Sequence, residues 1–153
     1  MIQGKFIPGI GDTAEAFAIR REVFVQEQGF AAGTEFDEID KTALHVLVMD
    51  DGRPAATARL YQHDGCWHIG RVAVRQAHRG RGVGAVAMRL MMQKARALGA
   101  QEVHIGAQTQ AEGFYRGLGF APCGPEYDEE GVPHVPMKAQ LADGCGCCSC
   151  SCH

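Results

Sequence analysis

Glycine and positive charge coincide at one turn of this 153-residue chain, between a predicted strand (residues 67–74) and a predicted amphipathic helix (residues 83–98). The turn reads Arg-Gly-Arg-Gly-Val-Gly over residues 79–84, and Arg75 and His78 stand just before it. Glycine lets a ligand approach the backbone closely, and the first N–H groups of a helix have no partner within the helix. The formal net charge of the chain is −3, so this local positive charge does not follow from composition. We interpret the turn as a binding site for a diphosphate group.

The glycine spacing separates this turn from two familiar nucleotide-binding motifs. The pattern G-x-x-x-x-G-K-[ST] is absent, and the glycines do not follow G-x-G-x-x-G. The residues fit R-x-x-G-x-G instead, from Arg79 through Gly82 to Gly84. This hexad resembles the acyl-CoA pyrophosphate loop of the GNAT superfamily of N-acyltransferases. The resemblance implies that the arginine side chains add charge and that six successive residues give backbone N–H groups to the diphosphate: Arg79, Gly80, Arg81, Gly82, Val83 and Gly84.

A second block, residues 108–120, resembles the later GNAT motif, in which Asn or Gln is followed by x-x-A-x-x-x-Y and then x-x-x-G-F. Five residues are in register with that motif: Gln108, Ala111, Tyr115, Gly119 and Phe120. Further stretches resemble small bacterial GNAT proteins of the ElaA-like branch, namely residues 16–29, 35–40, 70–74 and 131–137. The resemblance covers residues 1–141 and implies an α/β fold with a mixed, mostly antiparallel twisted sheet flanked by helices.

The resemblance also implies acetyl-CoA as co-substrate and gives roles to the residues around it. The strand edge at Val72, Ala73 and Val74 is expected to pair with the amides of the pantetheine arm, since an extended amide chain can add to a sheet edge. Tyr115 matches the tyrosine that commonly acts as general acid toward the departing CoA thiolate; the alternative is a core aromatic with a solvated hydroxyl. Gln108 is expected to orient the cofactor or a water, or else to be a polar residue at a helix start.

The substrate ammonium must lose a proton, and five acids and one histidine are candidates for the base: Glu35, Asp37, Glu38, Asp40, Glu129 and His134. Among them, Glu38 and His134 are predicted to be catalytic. Glu35 and Glu129 are predicted to bind substrate, because an acidic mouth attracts a cationic amine.

Arg71 lies on an otherwise apolar strand, where alternation places it on the same face as Ile69 and Ala73. A buried guanidinium needs a carboxylate partner. That partner is either an acid of residues 35–40 or a carboxylate of the substrate, and we predict Arg71 as a substrate-binding residue. His45 is interpreted as a core histidine.

Composition predicts one domain over residues 1–141 and a cysteine-rich tail over residues 142–153, which holds five of the seven cysteines. The tail either binds a soft metal or is disordered, and no metal is predicted for the domain. Cys66 and Cys123 are interpreted as small apolar fillers. The absence of a signal peptide and of a long apolar run predicts a cytoplasmic protein with no membrane partner, and the net charge argues against nucleic acid. A homodimer is compatible with such a fold but is not specified by the sequence.

The hydrophobic pattern places these residues on elements. Asp12 is predicted as the N-cap of a first helix that ends near Gly29, and Gly99 as the stop of the helix after the turn. The buried stripe of that later helix is predicted as Val83, Val86, Ala87, Leu90, Met91 and Leu98. Predicted strands cover residues 2–8, 43–49, 53–62, 66–74, 101–106 (parallel to its predecessor), 120–122 and 134–141; residues 30–42 are predicted as loop and 109–118 as a short helix.

These features predict an acyl-CoA-dependent N-acetyltransferase. It would move the acetyl group of acetyl-CoA to a primary amine of a small molecule or peptide, by direct attack in a ternary complex. Two other functions stay open at this point: a non-catalytic acyl-CoA sensor, and a soft-metal-binding protein acting through the tail.

Overall fold

The computed structural model describes residues 1–141. These residues divide into two compact units, residues 1–61 with 69–91, and residues 62–68 with 92–141. The predicted tail and its metal-binding alternative lie outside the described residues. Among the residues described, no helix is both long enough and apolar enough to cross a membrane.

The described residues contain eight strands: β1 (Ile2–Pro8), β2 (Leu44–Asp50), β3 (Arg53–His63), β4 (Cys66–Val74), β5 (Glu102–Gln108), β6 (Ala121–Pro122), β7 (Tyr127–Glu129) and β8 (Val132–Gln140). β1 pairs antiparallel with β2, and β2 with β3. β8 pairs antiparallel with β5, β6 and β7, whereas β4 and β5 are parallel. The predicted mixed, mostly antiparallel α/β fold is confirmed.

Two Asp-Gly turns join β2 to β3 and β3 to β4, as predicted. Asp51 and Gly52 have φ of 51° and 80°, and Asp64 and Gly65 have φ of 52° and 78°. Positive φ at both central residues is the signature of the type I′ turn, whose twist suits a hairpin.

The first helix changes its hydrogen-bond register part-way along. α1 (Ala14–Arg20) is α-helical and continues directly into a π-helical segment (Arg21–Glu27). At the end of that segment the N–H of Gln28 bonds to the carbonyl of Val23, five residues earlier, at 3.1 Å. The chain then turns at Gly29, near the predicted end, but the pattern did not predict the π register.

The helix begins one residue later than predicted. Thr13 is the N-cap residue of α1, so the prediction of Asp12 as N-cap is wrong. Asp12 Oδ1 instead accepts a hydrogen bond of 3.3 Å from the backbone N–H of Ala14. The side chain thus still satisfies a donor at the helix start, but from a position outside the helix.

Residues 30–42 are not a plain loop, because they contain two helical turns, α2 (Ala32–Glu35) and α3 (Ile39–Thr42). Each turn has four residues, which is too short to show a 3.6-residue periodicity in sequence. Glu35 lies on α2 and Asp40 on α3, whereas Asp37 and Glu38 lie between the two turns.

α4 (Val83–Ala97) follows the glycine-rich turn, as predicted. Its fully buried apolar residues are Val83, Ala87, Met88, Met91 and Ala95. The prediction of Leu98 as buried is wrong: the helix ends at Ala97, and Leu98 is 51% exposed just before Gly99, which has φ of 100°. Val86 and Leu90 are partly buried, so the stripe is rotated toward Met88.

In the second unit, β5 extends two residues beyond its predicted end and lies in register with β8, from Glu102 opposite Gln140 to Gln108 opposite His134. The predicted short helix consists of a 3₁₀ turn and α5 (Glu112–Gly117). The buried apolar residues of β5 and β8 are Val103, Ile105, Ala107, Val135, Met137 and Ala139.

Neither cysteine of the described residues fills the core. Cys66 is partly exposed at the start of β4, and Cys123 is exposed just after β6. The interpretation of both thiols as apolar fillers is therefore wrong, because each lies at the end of a strand.

Candidate active site

The residues between β4 and α4 form a turn with two left-handed glycines; we call residues 79–84 the glycine turn. Gly80 and Gly82 have φ of 80° and 82°, a region that other residues adopt only with strain. A Cβ at either position would lie more than 4 Å from every described atom outside its chain neighbours. Backbone conformation, not crowding, therefore requires glycine here. Because the first N–H groups of a helix have no partner within it, the start of α4 at this turn suits an anionic ligand.

Two arginines beside the turn are held by carboxylates of the π-helical segment. Arg75 binds Glu22 through Nη2 at 3.1 Å and through Nε at 3.2 Å. Arg79 and Glu27 form a bidentate ion pair in which both N–O distances are 2.7 Å. In addition, Arg79 Nε donates a hydrogen bond to the carbonyl of Val74 at 3.1 Å. The hydrogen bond from Arg79 lowers the pKa of Glu27, and in return raises the pKa of Arg79.

A third carboxylate, Asp50 at the end of β2, is almost fully enclosed and is contacted by the side chains of Arg81 and His78. Arg81 Nε lies 2.5 Å from its Oδ2, and His78 Nδ1 lies 2.9 Å from the same oxygen. The hydrogen bonds from Arg81 and His78 hold the pKa of Asp50 well below its usual range.

These pairs correct one part of the sequence analysis. The arginine side chains were expected to add positive charge for a diphosphate, but the partners Glu22, Glu27 and Asp50 neutralise them. Each partner lies more than 30 residues away in sequence from its arginine, so no local pattern indicated the pairing. The attraction of the glycine turn for an anion therefore comes from its backbone N–H groups and the dipole of α4.

β4 is distorted at Arg71, whose φ is 51° in the middle of the strand. A left-handed residue breaks the alternation that placed Arg71 with Ile69 and Ala73, both of which are buried. The guanidinium reaches back to α2, where Nε lies 3.1 Å from the Glu35 carbonyl and 3.2 Å from its carboxylate. Of the two partners proposed for Arg71, the structure shows the acid of residues 35–40.

Arg71 belongs to a group of six charged residues in the first unit, which we call the arginine–acid cluster: Arg20, Arg59, Arg71, Glu35, Asp37 and Asp40. Arg20 and Arg59 are 1% and 3% exposed. Arg20 Nη1 lies 2.7 Å from Asp40, and Arg59 Nη1 lies 2.7 Å from Asp37. Three positive and three negative groups balance, which is the condition for burying so much charge.

Burial and ion pairing act in opposite directions on the acids of this cluster. Burial raises the pKa of Glu35, although Arg71 and Arg20 both oppose the rise. Burial also disfavours ionised Asp37 and Asp40, but hydrogen bonds from Arg59 and Arg20 outweigh it, and the pKa of both lies below the usual value. Arg20 and Arg59 were not predicted from the sequence. The feature that could have indicated their burial is that each follows or lies within a run of mostly apolar residues.

The predicted acidic mouth is not formed by residues 35–40. Glu35, which was predicted to bind substrate, is 4% exposed and paired with Arg20 and Arg71. Glu38, predicted as a base, has an 86% exposed side chain that pairs with Lys41 at 3.0 Å. The acids of this stretch are balanced by neighbouring cations, so they do not present a net negative surface to an amine.

Tyr115 lies on α5 in the second unit and is 9% exposed. Its ring meets those of Phe114 and Phe120 edge-on, with centroids 5.0 and 5.9 Å away. Burial raises the pKa of Tyr115 to about 12. The hydroxyl therefore stays protonated at neutral pH and is suited to donate a hydrogen bond or a proton.

Gln108 and His134 are opposite each other where β5 ends and β8 begins. His134 Nδ1 lies 2.8 Å from the carbonyl of Val132 and must donate to it, which leaves Nε2 as the acceptor nitrogen of the neutral ring. Tyr127 stacks on the His134 ring at 5.6 Å between centroids. Glu129 is exposed on β7, a strand that the sequence analysis did not predict.

Within residues 1–141, no group of three or more His, Cys, Asp or Glu side chains is placed to hold a metal ion.

Comparison with known proteins identifies the class. A model of the GNAT acetyltransferase domain matches residues 13–141. The chain is 36% identical over 124 residues to the uncharacterized N-acetyltransferase YjcF of Bacillus subtilis, covering 80% of this chain and 89% of the relative. It is 30% identical over 128 residues to protein ElaA of Escherichia coli, covering 80% and 84%.

Solved structures agree with this class. The crystal structure of Escherichia coli ElaA superposes with a TM-score of 0.80 at 29% identity, covering 92% of this chain and all of the other. An acyl-CoA N-acyltransferase of Pseudomonas aeruginosa superposes with a TM-score of 0.79 at 28% identity, covering 91% and 99%. The chain belongs to the GNAT acetyltransferase family, and the sequence-based assignment to it is confirmed.

Proposed function

We propose that this protein is an N-acetyltransferase that moves the acetyl group of acetyl-CoA to a primary amine of a small molecule or peptide. The observation that carries the proposal is the glycine turn, in which Gly80 and Gly82 adopt left-handed conformations directly before the 15-residue helix α4. The names of two relatives support it: one is described as an N-acetyltransferase and one as an acyl-CoA N-acyltransferase.

The diphosphate of acetyl-CoA binds to the backbone N–H groups of residues 80–84, in this proposal. The N–H of Arg79, which was also predicted as a donor, already bonds to the carbonyl of Gln76 at 3.3 Å. The side chains of Arg79 and Arg81 are already paired with acids, so the main chain and the dipole of α4 supply the attraction. The main chain of Val72, Ala73 and Val74 pairs with the pantetheine arm, which requires no particular side chain. Valine and alanine at these positions are compatible with that role.

The reaction is a direct acyl transfer. The nitrogen of the neutral amine attacks the thioester carbonyl carbon, a C–N bond forms, and the C–S bond then breaks to release the CoA thiolate. One proton leaves the amine for a base, and one proton reaches the thiolate sulfur from an acid. Tyr115 is the proposed acid, because its hydroxyl is protonated at neutral pH and can donate a hydrogen bond or a proton to the developing thiolate. Gln108 is proposed to orient the co-substrate or a water.

His134 is the proposed base. Its Nδ1 is fixed on the carbonyl of Val132, so Nε2 carries the lone pair that can accept a proton. Glu129 is exposed nearby on β7, which pairs with β8, and is proposed to attract the cationic amine. We do not retain Glu38 as a base, nor Glu35 and Arg71 as substrate ligands, because each is paired with residues of its own surroundings.

The test uses the full-length protein, acetyl-CoA and a panel of primary amines, with the acetylated amine and free CoA measured by mass spectrometry. This readout avoids thiol reagents, which would react with the cysteines of residues 142–153. We expect equal amounts of acetylated amine and CoA, with no acetylated protein formed before the amine is added. Binding of acetyl-CoA without turnover on any amine would instead indicate an acyl-CoA sensor. Flat calorimetric titrations with acetyl-CoA would overturn the proposal altogether.

A further inference from the structure

We propose that the π-helical segment (Arg21–Glu27) is a positioning element for the glycine turn, and that Arg75 and Arg79 act by tying the turn to this segment. They would then not be direct ligands of the CoA phosphates. The inference rests on the proposed function, and it names the residues that set the geometry of the diphosphate site.

The hydrogen-bond register of the segment determines which of its residues share a face. Glu22 and Glu27 are five residues apart, and both hold an arginine at the turn. In an α-helix the residues that share a face are three or four apart, so a spacing of five points away. In an i→i+5 register, residues five apart lie on one face, and Gln28 bonds to Val23 in this way. The π-helix therefore aligns both carboxylates toward the turn.

Arg75 and Arg79 are both held by acceptors of the protein itself. Arg75 donates Nε and Nη2 to Glu22 and Nη1 to the carbonyl of Pro54. Arg79 donates Nη1 and Nη2 to Glu27 and Nε to the carbonyl of Val74. All three nitrogens of each guanidinium thus bind the protein itself. A phosphate would have to break two charge-assisted bonds of 2.7 Å to take Arg79 from Glu27.

The ion pairs of Arg75, Arg79 and Arg81 are concentrated in the residues just before α4. Arg75 and Arg79 flank the 3₁₀ turn (Gln76–His78), and the pair of Arg81 with Asp50 follows it. Three ion pairs within seven residues fix the backbone that leads into α4. Donors that are held in place before a ligand arrives bind it without an ordering cost. The acids therefore act by preorganising backbone N–H groups, although they themselves carry the wrong charge for an anion.

A double-mutant cycle separates this role from direct phosphate binding. The variants are Glu27→Gln, Arg79→Gln and the combination, and Kd for acetyl-CoA is measured by calorimetry. Glu15→Gln on α1 is the matched control, since it removes the same charge from an exposed position. We expect either single variant to raise Kd by about tenfold. The double variant should show the same Kd as each single variant, because all three variants lose the same Arg79–Glu27 ion pair. If Arg79 binds phosphate directly, Glu27→Gln would instead lower Kd, which would overturn the inference.

A measurement without ligand keeps the inference separate from the proposed function. Amide hydrogen exchange is followed over residues 79–84 in the wild type, Glu27→Gln and Glu15→Gln. We expect faster exchange in Glu27→Gln alone, with cooperative thermal unfolding retained in all three. Unchanged exchange in Glu27→Gln would refute the positioning role. A wild type that fails to bind acetyl-CoA would refute the proposed function, and the exchange data would still decide the role of Glu27.

Discussion

His45 on β2 and Arg59 on β3 are directly opposite each other, and each has one buried nitrogen that meets no hydrogen-bond partner among the described residues. His45 Nε2 donates to the carbonyl of Asp40 at 3.0 Å, so the unpartnered Nδ1 carries a lone pair. The unpartnered Nε of Arg59 carries a proton. This strand pair therefore leaves one buried acceptor and one buried donor without a partner, and a proton added to Nδ1 would turn the acceptor into a second donor.

The stability of the protein is expected to fall with acid because of His45. Burial lowers the pKa of His45 below its ordinary value of 6.5, and the nearby carbonyl of Asp40 only partly opposes this. Between those two pKa values the unfolded chain binds a proton that the folded chain does not. The contribution of His45 is thus present above pH 6.5 and is lost as pH falls from 6.5 toward the folded pKa.

The measurement is urea unfolding at about pH 7.5 and about pH 5 for the wild type, His45→Gln and His63→Gln. The His63 side chain is 69% exposed and serves as the matched control. We expect the pH dependence to be shallower in His45→Gln than in either other protein. Three parallel profiles would contradict the assignment.

Breaking the arginine–acid cluster is expected to destabilise the fold strongly. Asp40→Asn keeps the shape of the side chain but leaves Arg20 and Arg59 with too little negative charge, and loss of one partner of a buried pair costs about 3–5 kcal/mol. Glu38→Gln is the control. Glu38 lies two residues before Asp40, and its exposed pair with Lys41 is of a type worth about 0–1 kcal/mol. Equal unfolding midpoints in urea for the two variants would show that the cluster is not required.

Tyr115→Phe tests the proposed general acid. We expect kcat to fall by about 10²-fold or more while Kd for acetyl-CoA is unchanged, since only the proton donor is lost. Because burial raises the pKa of Tyr115 to about 12, the wild type should not lose activity through this hydroxyl below about pH 11. Tyr61→Phe is the control, because it removes the same hydroxyl from a residue of β3 that the proposed mechanism does not use. A Tyr115→Phe enzyme with full kcat would remove this residue from the mechanism.

Gly82→Ala is expected to weaken acetyl-CoA binding by more than its effect on stability explains. Gly82 and Gly52 have φ of 82° and 80°, and a Cβ at either position meets open space. Alanine should therefore destabilise both variants equally, by about 1–2 kcal/mol. Only the Cβ at position 82 would enter the space proposed for the diphosphate, so calorimetry should separate the two. Equal Kd values in Gly82→Ala and Gly52→Ala would argue against binding at the glycine turn.

The sequence predicted the parts of the fold that local chemistry determines. Asp-Gly at 51–52 and 64–65 permits positive φ at both turn positions, and both hairpins were found where predicted. The helix between β4 and β5 required those strands to be parallel, and His68 opposite His104 confirms it. Leu98 was placed wrongly because periodicity alone does not show where a helix ends.

The charged contacts could not be predicted in the same way. Arg79 with Glu27 and Arg81 with Asp50 join residues 52 and 31 positions apart, and a sequence does not show which acid folds back on which arginine. The π register between α1 and Gly29 has no compositional signal. The five-residue spacing of Glu22 and Glu27 is consistent with it, but that spacing becomes informative only once their arginine partners are known. The roles of Tyr115, Gln108 and His134 stay predictions, because no described contact tests them.

The charge balance of the arginine–acid cluster limits how this region can change over time. Arg20, Arg59, Glu35 and Asp40 are its buried members, and none of them can be exchanged for a neutral residue without leaving an opposite charge uncompensated in the interior. Arg20 and Asp40, for example, should be replaced together or retained together among related proteins. Sequence divergence there is expected to proceed by paired exchanges, and covariation across many relatives would reveal the partners without any coordinates.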